Sequence, residues 1–132
     1  MKFRQTKTSS GKIVLAGKNA KNNEELIAQV EKNEVVLHTA APGSPFVNIK
    51  GKAKRKDIKE AAIFCAEHSQ DWRDNKTDVF VHKFKGKDIY KKLNMKKGTF
   101  GIRKFKIIKV KKKLIERFIK KEKNKQKLNN YQ

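Results

Sequence analysis

Residues 34–51, EVVLHTAAPGSPFVNIKG, decide how the chain is read. Val35 to Leu37 and Phe46 to Ile49 are short apolar runs, and the loop between them carries Pro42, Gly43, Ser44 and Pro45. Such runs on either side of turn-forming residues predict two strands meeting at a sheet corner. The stretch also sets His38 near Ser44, which raises a nucleophile and its base as the rival reading. A triad would take Asp71 or Asp74 as its third member. Ser44, however, sits between Gly43 and Pro45 and lacks the strand–turn–helix setting of a nucleophile elbow. The corner is the simpler reading, and no catalytic residue is assigned.

Upstream, Lys2 to Thr8 and Lys12 to Ala16 flank the turn Ser9-Ser10-Gly11 and predict a hairpin or two successive strands. Asn19 or Asn22 can cap a helix carrying Leu26, Ile27 and Val30. Downstream, Asp57 and Glu60 have capping-box spacing. Ile58, Ala61, Ala62, Cys65, Ser69 and Trp72 then fall on one face of a single predicted helix. Asp78 to Phe84 alternates, with Val79, Val81 and Lys83 on one face and Phe80, His82 and Phe84 on the other. Thr99 to Val110 reads as one or two closing strands. From Lys111, Leu114, Ile115, Phe118 and Ile119 keep helical spacing before a polar end that is expected to fray. The order β-β-α-β-β-α-β-β predicts an α+β fold: a mostly antiparallel sheet, two packed helices and a basic C-terminal helix or tail. The division expected is 1–110 as the folded domain and 111–132 as the lysine-rich segment.

The chain has 132 residues, with 35 Lys+Arg against 13 Asp+Glu, a formal net charge of +22. That excess repels itself in a compact state and calls for a polyanionic partner, nucleic acid before an anionic membrane. No run approaches the ~18 apolar residues of a membrane helix, and the opening MKFRQTKTSSG has no apolar export segment. A soluble cytoplasmic protein is expected, with no membrane partner. A lone Cys65 and three histidines without ligand spacing predict no metal, and Cys65 reads as a small core residue. The stretch 11–19, GKIVLAGKN, glances at a phosphate-binding P-loop. Its glycine spacing is one residue too long, its loop is apolar, and Asn19 stands where Ser or Thr is required. No cofactor and no small-molecule substrate follow.

The charge is concentrated. Residues 103–127 carry thirteen basic side chains against Glu116 and Glu122, half of the whole surplus. Two further clusters are Lys50, Lys52, Lys54, Arg55 with Lys56, and the loop from Lys83 to Lys97. Lysines interleaved with Phe84, Tyr90, Phe100 and Phe105 suit a surface that tracks phosphates with occasional base stacking. The arginines number only five, so point-charge contact to phosphates is expected over bidentate base reading. The residues expected on RNA are Lys18, Lys21, Lys50, Lys52, Lys54, Arg55, Lys83, Lys85, Lys87, Arg103, Lys104 and Lys106. Non-specific DNA binding is the first alternative. A metal-dependent nuclease is the second, for which Asp71, Asp74 and Asp78 are the only loose carboxylate group.

Four motifs in order resemble the NFACT-R domain, the RNA-binding module of the NEMF, Caliban and fibronectin-binding-protein-A family. Gly17, Lys18, Asn19, Asn23 and Glu24 match its strand-to-helix opening. His38, Gly43, Ser44 and the following FVNIK match its histidine-ended strand and Gly-Ser turn. Glu60, Ala61, Ala62, Ser69 and Trp72 match its central helix, and Gly98, Thr99, Phe100, Ile102 and Arg103 its late strand. The chain departs from the pattern at Val35 and Val36, where aromatics are common, and at Pro45. The resemblance implies binding to ribosomal RNA or transfer RNA and a link to ribosome-associated quality control. The large members' N-terminal domain, helix-hairpin-helix elements and coiled-coil arm do not fit in 132 residues. The implied unit is therefore a stand-alone RNA-binding module, without the tailing activity associated with those parts.

Overall fold

In the computed structural model, which describes residues 2–130, the sheet is built as the alternation requires. Strands β1 (Arg4–Lys7), β2 (Ile13–Ala16), β3 (Val35–Thr39), β4 (Val47–Ile49), β5 (Val79–Lys85) and β8 (Lys106–Val110) form one sheet in the order β1-β2-β4-β3-β5-β8. Every neighbouring pair is antiparallel. The short strands β6 (Ile89–Tyr90) and β7 (Gly101–Ile102) pair separately. Tyr131 and Gln132, part of the expected C-terminal segment, lie outside the described residues, as does Met1.

Because side chains alternate across a strand, each face of the sheet receives its own core. Val14, Leu37, Val47, Val79, Val81 and Val110 face helices α2 (Arg55–Glu67), α3 (Gln70–Asn75) and α4 (Lys112–Asn130). Val36, Phe46 and Phe84 face the other way, onto Leu26 of α1 (Ala20–Ala28), with Ile89, Phe100 and Ile102 of the β6–β7 region against them. The result is three layers. Burying a side chain such as Leu37, with no exposed surface, contributes about 1.5–3 kcal/mol.

Two expectations change. The single helix through Trp72 is two helices, because Ser69 intervenes: its hydroxyl accepts the Trp72 N–H at 3.1 Å and caps α3 anew. Four α-helices are therefore present among the described residues, where two packed helices and a basic C-terminal helix or tail were expected. Asp57 does not start α2 but lies three residues inside it, where its carboxylate accepts the Lys54 N–H at 2.9 Å. The segment 99–110 holds two strands, within the one or two expected, and the break at Arg103–Phe105 lets β7 leave the main sheet for β6. The C-terminal helix runs to Asn130, with Ile115 fully buried and Phe118 and Ile119 packed on the core.

Asp57 also fastens α2 to the β1–β2 turn, accepting hydrogen bonds from Ser10 Oγ at 2.5 Å and Thr8 Oγ1 at 2.7 Å. Beside it Glu60 takes the Ser9 N–H and hydroxyl. The Ser10 hydroxyl, the Lys54 N–H and the Thr8 hydroxyl hold the Asp57 carboxyl down to about 2. A depressed carboxyl stabilises the fold in full above its unfolded value of about 3.9, and that contribution is lost as pH falls through about 2. Asp57→Asn is thus expected to lower the melting temperature at pH 7 and to flatten its decline between pH ~4 and ~2. Circular-dichroism melts across that window are the check; parallel wild-type and variant profiles would contradict the assignment.

Candidate nucleic-acid interface

The corner of residues 38–46 is stitched through Thr39. The His38 Nδ1–H donates to the Thr39 carbonyl at 2.8 Å, and Ser44 Oγ accepts the Thr39 N–H at 3.0 Å while donating to the Pro45 carbonyl at 3.1 Å. Histidine and serine thus serve the same main-chain residue rather than each other. Burial lowers the His38 pKa, with the bond to Thr39 opposing and His82 adding to the effect, so the ring is neutral at pH 7. Gly43, at φ 87°, sits against the Gln70 side chain and its carbonyl accepts the Gln70 N–H, leaving no room for a Cβ. Asp71 and Asp74 bind Asn75 and Gln70 in their own helix, and Asp78 accepts the Lys112 N–H at 2.8 Å. These carboxylates hold separate structural posts. Burial pushes the Cys65 thiol up to about 12, which leaves it an inert core group.

The α1 motif is a clamp. Asn19 Oδ1 caps the helix by accepting the Asn22 N–H at 2.9 Å. Asn23 Oδ1 reaches the Phe46 N–H at 3.4 Å across the face of Gly17, where a Cβ would overlap the carboxamide. Glu24 accepts the Gly98 N–H at 2.6 Å and Lys91 Nζ at 2.8 Å, and these bonds, Lys91 first, hold its pKa low. Gly17, Asn19, Asn23 and Glu24 therefore fix the β4 corner and the loop before β7 around one end of α1.

Where these parts meet lies a cleft of about 680 Å³, lined by Arg4, Lys18, Asn19, His38, Phe46, Arg73, His82, Lys97 and Phe100 among others. Among the described residues its lining includes no carboxylate. The first turn of α1 contains no acidic side chain, so its N–H groups and positive dipole end add to the cationic wall. Of the residues expected on RNA, only Lys18 lies here. Arg4, Arg73 and His82 were not foreseen, and Lys97 only as the end of a basic loop, since they come from distant parts of the sequence and only the fold assembles them.

A second recess, of about 350 Å³, gathers Lys83, Lys85, Lys87, Lys104 and Lys106 with Phe105 and a single carboxylate, Asp88. The β5–β8 register explains the convergence: Lys83 stands directly opposite Lys106. Like charges in that position weaken a sheet, so the pairing costs stability unless an anion lies between them. The two recesses adjoin, because His82 of the cleft stacks on Phe105 of the lysine recess with ring centroids 4.0 Å apart.

The remaining expected residues lie elsewhere. Lys50 is tied to Glu34 at 2.8 Å and to Gln29 Oε1 at 2.8 Å, an internal ion pair and not a free cation. Lys52, Lys54 and Arg55 are exposed where β4 leads into α2, Lys21 is exposed on α1, and Arg103 lies over the Tyr90 ring at 4.9 Å. Of the aromatics considered for stacking, Phe84 is buried and Phe100 is half-buried with Lys91 Nζ 4.6 Å over its ring, whereas Phe105 is 45% exposed.

An antiparallel sheet clamped by a Gly-Lys-Asn helix start and flanked by cationic recesses belongs to a recognisable class. The family model described as NFACT protein RNA binding domain matches residues 2–104, and the chain belongs to that family. It is 33% identical over 110 residues to the archaeal Rqc2 homolog aRqcH of Methanocaldococcus jannaschii, an alignment covering 77% of this chain and 16% of the relative. The fold is similar to the C-terminal part of the fibronectin/fibrinogen-binding protein of Streptococcus suis. The TM-score is 0.76 at 24% identity, covering 84% of this chain and 45% of that one.

Proposed function

We propose that this chain binds structured RNA, of ribosomal or transfer type, mainly through phosphates, without catalysing a reaction. We further propose that it serves ribosome-associated quality control. The family supports the RNA-binding part, and the lysine recess carries the mode of contact. Five ammonium groups converge there on one carboxylate, and two of them oppose each other across the sheet. In this reading residues 1–110 are the binding unit and the segment from Lys111 adds a cationic arm. Lysine-dominated contact predicts weak sequence preference and recognition of shape.

The test is competition between matched RNA and DNA duplexes, together with transfer-RNA binding and co-sedimentation with ribosomes, at ~0.15 M salt. RNA is expected to win, because the A-form shape and 2′-hydroxyls it offers are absent from the DNA duplex. With ~6–10 phosphate contacts, affinity should fall ~10³–10⁵-fold between about 50 and 200 mM salt. Equal competition by DNA, or no retention on ribosomes and transfer RNA, would overturn the proposal.

A further inference from the structure

On the face of the sheet shared with Phe84, the α1 and β6–β7 layer stops short of the β5–β8 edge. Phe80 and His82 on β5 point the same way as Ile107 on β8, by strand alternation, and Ile107 stands opposite His82. Phe80 is 47% exposed and Ile107 61%, an apolar shelf continuous with the His82–Phe105 stack. Cations border it: Lys109, which also reaches Asp78 Oδ2 at 3.6 Å, is opposite Phe80, and Lys104 and Lys106 flank Phe105 along the chain, Lys106 on the other face from Ile107. A protein partner of ordinary composition would gain from the apolar area but not from the lysine recess beside it. A nucleotide strand uses both, since bases are flat and apolar and every linkage between them is anionic.

We infer that the shelf of Phe80, His82 and Phe105 stacks an unpaired base of the bound RNA. The flanking phosphates lie in the carboxylate-free cleft on one side and the lysine recess on the other. This rests on the RNA-binding reading and adds to it that the RNA must be single-stranded at this point. Phosphate contact alone does not distinguish a loop from a duplex; an aromatic face does, because paired bases keep their faces covered by their neighbours.

The probe is an RNA hairpin with 2-aminopurine in its loop, compared with a blunt duplex of equal phosphate number. The intact chain should bind the hairpin more tightly, by roughly 5- to 150-fold if one base stacks, and quench the fluorophore. Phe80→Leu with Phe105→Leu keeps apolar bulk, removes both phenyl faces, and should abolish preference and quenching while leaving the salt slope unchanged. Phe105→Trp should retain both. Equal binding of hairpin and duplex, or a double variant that still prefers the hairpin, overturns the stacking inference alone if RNA still binds. Failure to bind either RNA overturns it together with the parent reading. Sedimentation as a dimer that the double variant dissociates would make the shelf a self-association face, and the inference would fall.

Discussion

Replacing Lys83, Lys85, Lys104 and Lys106 together by alanine is expected to weaken RNA binding roughly 10²–10³-fold near 0.1 M salt. The salt dependence should drop by about 3–4 in slope, at ~0.7–0.9 per lost phosphate contact. The estimate treats each ammonium group of the recess as closing one contact. Stability should not suffer, because Lys83 opposes Lys106 and their removal relieves repulsion within the sheet. Binding titrations at several salt concentrations, with a thermal melt as control, check both halves. A variant that binds as tightly as the parent would remove the recess from the interface. Replacing Lys52, Lys54 and Arg55, which line neither recess, is the matched comparison and should cost less.

Trp72→Ala is expected to destabilise the fold by about 3–5 kcal/mol, a large share of the ~5–15 kcal/mol typical of a domain. Trp72 is 4% exposed and is the buried anchor of α3, a helix of six residues that cannot stand without packing. The indole sits in the core beneath the sheet, with Lys76 Nζ 5.0 Å from its ring centroid. The same helix carries Arg73 into the cleft, and Gln70 at its start holds the Gly43 carbonyl. Loss of the anchor should therefore loosen the corner as well. Denaturant titration measures the effect. An unchanged midpoint with strongly reduced RNA affinity would instead make Trp72 a contact residue.

The sheet was legible because its strands alternate. In residues 78–84 the valines were expected on one face and Phe80, His82 and Phe84 on the other, and Val79 and Val81 indeed lie in one core while Phe84 lies in the second. The corner at Gly43 and Ser44 was legible from turn chemistry. The break at Ser69 was not, since a serine at helical spacing reads equally as a face position or as a new cap, and only the hydroxyl's bond to Trp72 decides. The individual cations were harder. Lys50 looks like its neighbours until Glu34, sixteen positions earlier, is brought against it. Burial pulls the Glu34 carboxyl toward the neutral form, but the Gly51 N–H, Lys50 and the Glu31 N–H outweigh it and hold its pKa low. The cleft draws on Arg4 and Lys97 at opposite ends of the folded unit, a proximity that no local pattern encodes.

The C-terminal helix α4 leaves the core as a solvated cationic rod. Beyond Ile119 every side chain up to Leu128 is exposed, and this stretch holds five lysines against one glutamate. At 1.5 Å per residue it extends roughly 13 Å, longer than the ~8–10 Å over which salt damps a charge. A polyanion approaching from that side feels the rod before it meets the sheet. The rod thus widens the target for diffusional encounter and should raise the association rate more than it slows release.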